Sequence, residues 1–177
     1  IAHELNNKHA EKIILQLLGL AYNVLGYYRQ AIELYERSQS ITIDTENPVV
    51  QENLIAIFNN ITQILPLSGF SWSYYSLGQP QKAIEFSEQQ LKLSRTNEDK
   101  LGEADALNSL GVIYYNLDEY QKAIDLHKES LKISETIGNL SGVGYSLGNL
   151  GLIYLSLDDY QRALDFHSQS LEIARET

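Results

Sequence analysis

The chain has 177 residues, and its 23 acidic side chains outnumber 13 basic ones to give a net charge of −10. That balance argues against nucleic acid and anionic membrane as partners, since both are gripped by clustered Lys and Arg. Cysteine is absent, which removes disulfides and thiolate metal sites, and no run of about 18 apolar residues is long enough to cross a bilayer. With no targeting segment a cytoplasmic location is expected. The chain opens at Ile1 directly in a helical pattern, lacks methionine and stops at Thr177 where one unit should hand over to the next, so it reads as a fragment of a longer protein.

Ala2 to Leu25 reads as a first helix, with Ile13, Ile14, Leu17, Leu18, Ala21, Tyr22 and Leu25 as its apolar stripe. A second helix starts near Tyr28, runs through Ala31, Ile32 and Tyr35, and ends before Asp44. About twelve extra residues follow, around Asp44 to Phe58. Within them Asn47-Pro48 signals a stop and restart, with Pro at the first position of a new helix. Val50, Leu54, Ile57, Phe58, Ile61, Ile64 and Leu65 form a broad apolar face, and Pro66 should kink or break that helix. This irregular stretch, Asp44 to Ser76, reads either as a tolerated insertion or as an elongated helix that reshapes a groove or docks a neighbouring domain. Pro80 is harmless at the start of a further helix containing Gln81-Lys82-Ala83-Ile84. Next, Leu107, Leu110, Gly111, Tyr114 and Leu117 recur at helical steps, and after a turn Tyr120, Ala123, Ile124, His127 and Leu131 do the same. Asp118, and Asp158 forty residues on, are expected to cap the second helix of their pairs, while Gly138-Asn139 ends one pair and opens the next. Gly111 and Gly151 cost about 1 kcal/mol each relative to Ala inside a helix. A packing reason is therefore expected, namely close approach of Ala123 and Ala163.

The organisation is a repeat. Leu110–Ile137 and Leu150–Thr177 share 14 of 28 residues, so each copy is one supersecondary unit stacked on the next. Leu107-x-x-Leu110-Gly111-x-x-Tyr114, then Tyr120, Ala123 and a bulky His127, resembles the tetratricopeptide repeat. The unit of 40 rather than 34 residues is similar to the longer-helix variants of kinesin light chains and of bacterial, especially cyanobacterial, arrays. The resemblance implies an all-α, right-handed superhelical solenoid of about four helix-turn-helix units, at about 2–43, 59–97, 99–137 and 139–177, with an insertion at about 44–58. One continuous solenoid over 1–177 is expected.

No catalytic constellation appears. The histidines His3, His9, His127 and His167 form no metal-ligand spacing, and His127 and His167 occupy equivalent places, the pattern of a reused packing position. Asp118-Glu119 and Asp158-Asp159 belong to turns. Serine nucleophiles have no base beside them, and no glycine loop cradles phosphate. No catalytic residue, metal site or cofactor is expected, and the chain is not read as an enzyme.

The resemblance implies that the first helix of each unit lines a concave face. Projection places Ile13, Gln16, Leu20 and Asn23 there in the first unit, and Ser68, Trp72 and Tyr75 in the second. Asp105, Asn108, Ser109, Val112 and Tyr115 follow in the third, then Tyr145, Asn149, Leu152 and Leu155 in the fourth. This strip is aromatic, aliphatic and amide-bearing. It offers no Lys or Arg in the last three units, so a clamp for a terminal carboxylate is disfavoured. Asn149 stands where kinesin-light-chain-like repeats place a backbone-holding asparagine, but the matching Ser109, Gly69 and Leu17 leave that ladder largely absent. The peptide-binding candidates are Trp72, Tyr75, Asn108, Ser109, Val112, Tyr115, Tyr145, Asn149, Leu152 and Leu155, with an apolar or amphipathic protein segment as the expected ligand. Two other roles stay open: a regulatory array controlling a linked enzymatic domain, and self-association into a homo-oligomer through open end helices.

Overall fold

The computed structural model describes residues 2–42 and 67–176. The insertion expected at 44–58, the apolar face from Val50 to Leu65 and the break at Pro66 lie outside the described residues, as do the side chains of His3 and His9. Eight helical segments are described: α1 Ala2–Val24, α2 Tyr28–Ser40, α3 over 67–76, α4 Pro80–Thr96, α5 Lys100–Asn116, α6 Tyr120–Thr136, α7 Leu140–Ser156 and α8 Tyr160–Glu176. Pro80 opens α4, where its missing amide costs nothing. The chain divides into two compact units, Ile1–Phe86 and Ser87–Thr177.

One turn geometry punctuates the chain. The second residue after α1, α3, α4, α5, α6 and α7 takes positive φ: Gly26 at 80°, Gly78 at 72°, Glu98 at 55°, Asp118 at 61°, Gly138 at 69° and Asp158 at 58°. From Gly78 onward these positions recur every 20 residues, so turns inside a hairpin and turns between hairpins are built alike. In each, the amide after the left-handed residue reaches back five positions, as in Gln79 to the Tyr74 carbonyl (2.8 Å) and Asn139 to that of Ser134 (2.9 Å). The left-handed residue itself donates three back, satisfying a second terminal carbonyl, which is the Schellman arrangement. Asp118 is therefore not the cap that its position suggested. Its backbone turns the corner and its Oδ1 accepts from the Tyr120 hydroxyl at 2.7 Å; Asp158 and Tyr160 repeat this at 2.8 Å. The capping side chains are instead Asp99, Asn139 and Asp159, which accept from the amides of Gly102, Gly142 and Arg162.

The packing reason for the helical glycines also differs from expectation. A Cβ on Gly111 would lie 2.6–2.8 Å from ring atoms of His127, and one on Gly151 2.6–2.7 Å from those of His167. On Gly19 it would meet the Tyr35 ring from 2.6 Å, and Gly69 faces the same ring. Gly19, Gly111 and Gly151 thus each make room for a ring sixteen residues later on the second helix, not for Ala123 or Ala163. Those alanines are buried beside it, as are Ala31 and Ala83. In the irregular copy the equivalent positions are Ser71 and Ser87, both buried. The glycine and its ring have been replaced together, and Ser71 Oγ donates to the Ala83 carbonyl at 3.1 Å.

In the first unit Ala31, Tyr35 and Phe70 form the core, with Tyr74 and Phe86 stacked on Phe70 at 6.3 and 4.6 Å between centroids. In the second, Ala123, Ile124, Leu150, Ile153, Tyr154 and Ala163 do so. There Glu103, only 5% exposed, receives Arg95 and Lys100 at 2.8 Å each, while Arg95 also reaches Glu129 at 2.7 Å. Burial alone would push the Glu103 carboxyl up, but the hydrogen bonds and charges of Lys100 and Arg95 hold it below the usual range. This cluster fastens the end of α4 to α5 and α6.

Candidate functional site

Two surfaces of the first helices carry the expected binding residues, one in each unit. In the first unit Trp72 is 51% exposed on α3, its ring 5.8 Å from that of the half-buried Tyr75. Gln16 and Asn23, expected on the same strip of α1, are buried. Asn23 donates to the Tyr35 hydroxyl and the Gly69 carbonyl, each at 3.1 Å, and accepts from Ser73 at 2.5 Å. It therefore ties α1 to α2 and α3. Burial pushes the Tyr35 hydroxyl up to about 12, a rise that its bond to Asn23 only partly offsets.

In the second unit the strip runs along α5 and α7. Tyr145 is 53%, Leu152 44% and Leu155 47% exposed, while Ser109, Val112, Tyr115 and Asn149 are half-buried. Helical steps of seven and three residues put Tyr145, Leu152 and Leu155 along one side of α7. Tyr115 shares a hydrogen bond with Ser156 at 3.0 Å, which steadies its ring against α7. Asn149 donates to the Tyr145 carbonyl of its own helix at 2.9 Å, and Ser109 to that of Asp105 at 2.9 Å. At the N-terminal end of the strip an open pocket of about 340 Å3 is lined by Asp105, Asn108, Ser109, Asn139, Ser141, Gly142 and Tyr145.

Asn108, projected onto this strip, is 5% exposed and spends its Oδ1 internally, accepting from His127 Nδ1 at 2.9 Å and from the Ser146 hydroxyl at 3.0 Å. A carbonyl oxygen only accepts, so His127 carries its proton on Nδ1. Burial drives its pKa down to about 4, and it is neutral at pH 7. Its Nε2, facing Gly111, is buried without a hydrogen-bond partner. His127 is thus a packing residue, whereas His167 at the equivalent position is exposed on α8. Among the described residues no group of three His, Asp or Glu side chains could hold a metal ion.

The tetratricopeptide repeat profile matches residues 73–136 and 102–176, and a second tetratricopeptide repeat profile matches 13–42. The chain belongs to the tetratricopeptide repeat family. Among solved structures this tetratricopeptide array is similar to aspartyl phosphate phosphatase F from Bacillus subtilis, with a TM-score of 0.81 and 14% identity over 96% of this chain and 41% of that one. A STAND signal-transduction ATPase with a tetratricopeptide repeat sensor from Pyrococcus horikoshii matches with a TM-score of 0.74 and 18% identity, covering 94% of this chain and 24% of that one. A kinesin light chain protein of nearly identical TPR-like repeats from Podosopora anserina gives 0.63 and 19% over 98% and 76%. These likenesses establish the fold, an all-α helical repeat of the solenoid class. The array spans less than half the length of the first two. No curated protein sequence matches it. Tetratricopeptide arrays serve in general as protein-interaction scaffolds, and no described helix is long and apolar enough to cross a membrane.

Proposed function

We propose that this array binds a peptide or helical segment of a partner protein along the strip of α5 and α7. The observation that carries this reading is the row of Tyr145, Leu152 and Leu155, exposed on a helix whose opposite side is fully engaged through Val143, Ser146, Leu147, Leu150, Ile153 and Tyr154. Large apolar side chains held out by a rigid helix are the kind of anchor that dominates peptide binding, and Ser109, Val112, Tyr115 and Asn149 flank them. Trp72 and Tyr75 form a second, separate anchor in the first unit. Asn108 is set aside as a structural residue. Selection of a displayed random-peptide library on the array tests the reading. Peptides enriched on the wild type should be lost on a Tyr145→Ala, Leu152→Ala, Leu155→Ala variant of unchanged helicity; equal enrichment on both would reject the strip.

A second reading rests on α8. Its Leu164 and Leu171 are 62% and 53% exposed, whereas the matching face of α6 buries Ile124, His127 and Ser130. That face fits another helical hairpin, in a second copy or another protein. Sedimentation velocity over a hundredfold concentration range, with Leu164→Glu as the control, separates self-association from a monomer.

A further inference from the structure

From the pocket at the head of the strip we infer a subsite for a basic side chain, best an arginine, of the bound segment; this rests on the peptide-binding reading above. Asp105 is the only charged side chain lining the pocket, and among the described residues it forms no ion pair within 4.0 Å. The cations nearest in sequence are already engaged: Lys100 and Arg95 by Glu103, and Arg95 also by Glu129. Asp105 is exposed at the pocket opening, and partial shielding of its carboxyl by the pocket walls, followed by the negative charge of Asp99, raises its pKa. A carboxylate so placed gains from an incoming cation, which would bring the pKa back down.

The rest of the lining selects the kind of cation. Tyr145, one repeat after Asp105, presents an exposed ring on which a planar guanidinium stacks. The hydroxyls of Ser109 and Ser141 add acceptors. An anion would find the first turn of α7 here, but Asn139 already caps the Gly142 amide at 3.1 Å. The remaining helix dipole is about half a unit charge, less than the full charge of Asp105 with Asp99 behind it. The pocket is therefore a cation site. Its position gives the ligand a pattern: a basic residue at the N-terminal end of α7, followed by apolar residues toward Leu152 and Leu155. The net charge of −10 favours the approach of such a segment.

The probe is a fluorescein-labelled peptide from the random-library selection, measured by anisotropy at low and at 0.5 M salt. The enriched peptides should carry Arg beside an apolar pair. Replacing that Arg by citrulline, its neutral isostere, should weaken binding about tenfold at low salt, and Asp105→Asn on the array should do the same. The two changes together should cost no more than either alone. The citrulline exchange leaves the protein untouched, so it decides even if Asp105→Asn impairs folding. Enriched peptides without a basic residue, or peptides indifferent to both changes yet sensitive to Leu152→Ala, would overturn the cation subsite and leave the strip standing. Failure to enrich any peptide would remove both.

Discussion

The two units solve one packing problem with different residues. Both seat a ring from the second helix of a hairpin against a glycine of the first, and both tether that ring with a buried amide. In the first unit the ring is Tyr35, held by Asn23, which lies four residues after Gly19. In the second it is His127, held by Asn108, three residues before Gly111. Steps of three and four bring the amide to the same helix face from opposite directions, and each amide also reaches the next first helix, through Ser73 or Ser146. The repeat therefore preserves a shape and a polar tie rather than an identity. His167 shows the arrangement without its lock: Gly151 still accommodates the ring, but the ring is exposed.

The largest break in this comparison should come from Tyr35→Ala. It empties a fully buried ring site between two glycines and strands Asn23, so a loss of about 3–5 kcal/mol is expected in urea unfolding. Acid distinguishes the units next. Because His127 has its pKa depressed from 6.5 to about 4 in the folded chain, the unfolded chain binds the extra proton first. Its contribution is complete above pH 6.5 and is lost as pH falls from there toward 4, by about 2 kcal/mol between pH 7 and 5. Stability measured across that range should lose this part of its slope in His127→Gln.

A smaller effect separates the two glycines of the second unit. Gly111→Ala gains about 1 kcal/mol of helix propensity but drives Cβ into a buried, tethered ring, for a net loss of about 1–2 kcal/mol. Gly151→Ala meets a ring free to swing outward, so it should be neutral or stabilising. Adding His127→Ser to Gly111→Ser, which copies the Ser71 and Ser87 solution, should cost less than the sum of the two single changes. The smallest effect lies in the turns, where Glu98→Gly removes a left-handed side chain at a position that Gly78 and Gly138 fill elsewhere. A gain of about 0.5–1 kcal/mol in thermal denaturation is expected.

The repeat, the family and the helices from α4 onward were legible because identity at a fixed offset of 40 needs no propensity argument. The 20-residue recurrence of Gly78, Glu98, Asp118, Gly138 and Asp158 was equally present, and it marks Asp118 as a left-handed corner rather than a cap. It is visible only when both kinds of turn are aligned together. The partner of Gly111 escaped because a helical projection assigns a face but not the reach of a long side chain, which leans back toward the preceding turn. For the same reason Gln16, Asn23 and Asn108 looked like groove amides. Polarity on a stripe does not separate a side chain waiting for a ligand from one that ties three helices together. Trp72, Tyr145, Leu152 and Leu155 are exposed as projected, while Val112 is half-buried.

In the proposed division of labour the tethered rings hold each unit together while the exposed row on α7 does the binding. This division is tested most directly by measuring, for one library-selected peptide, both affinity and melting temperature in His127→Ser and Leu152→Ala. A crossed result is expected: His127→Ser lowers the melting temperature and leaves the affinity of the folded array unchanged, whereas Leu152→Ala weakens binding about tenfold with almost no change in melting. Loss of affinity in both variants, or in neither, would contradict it.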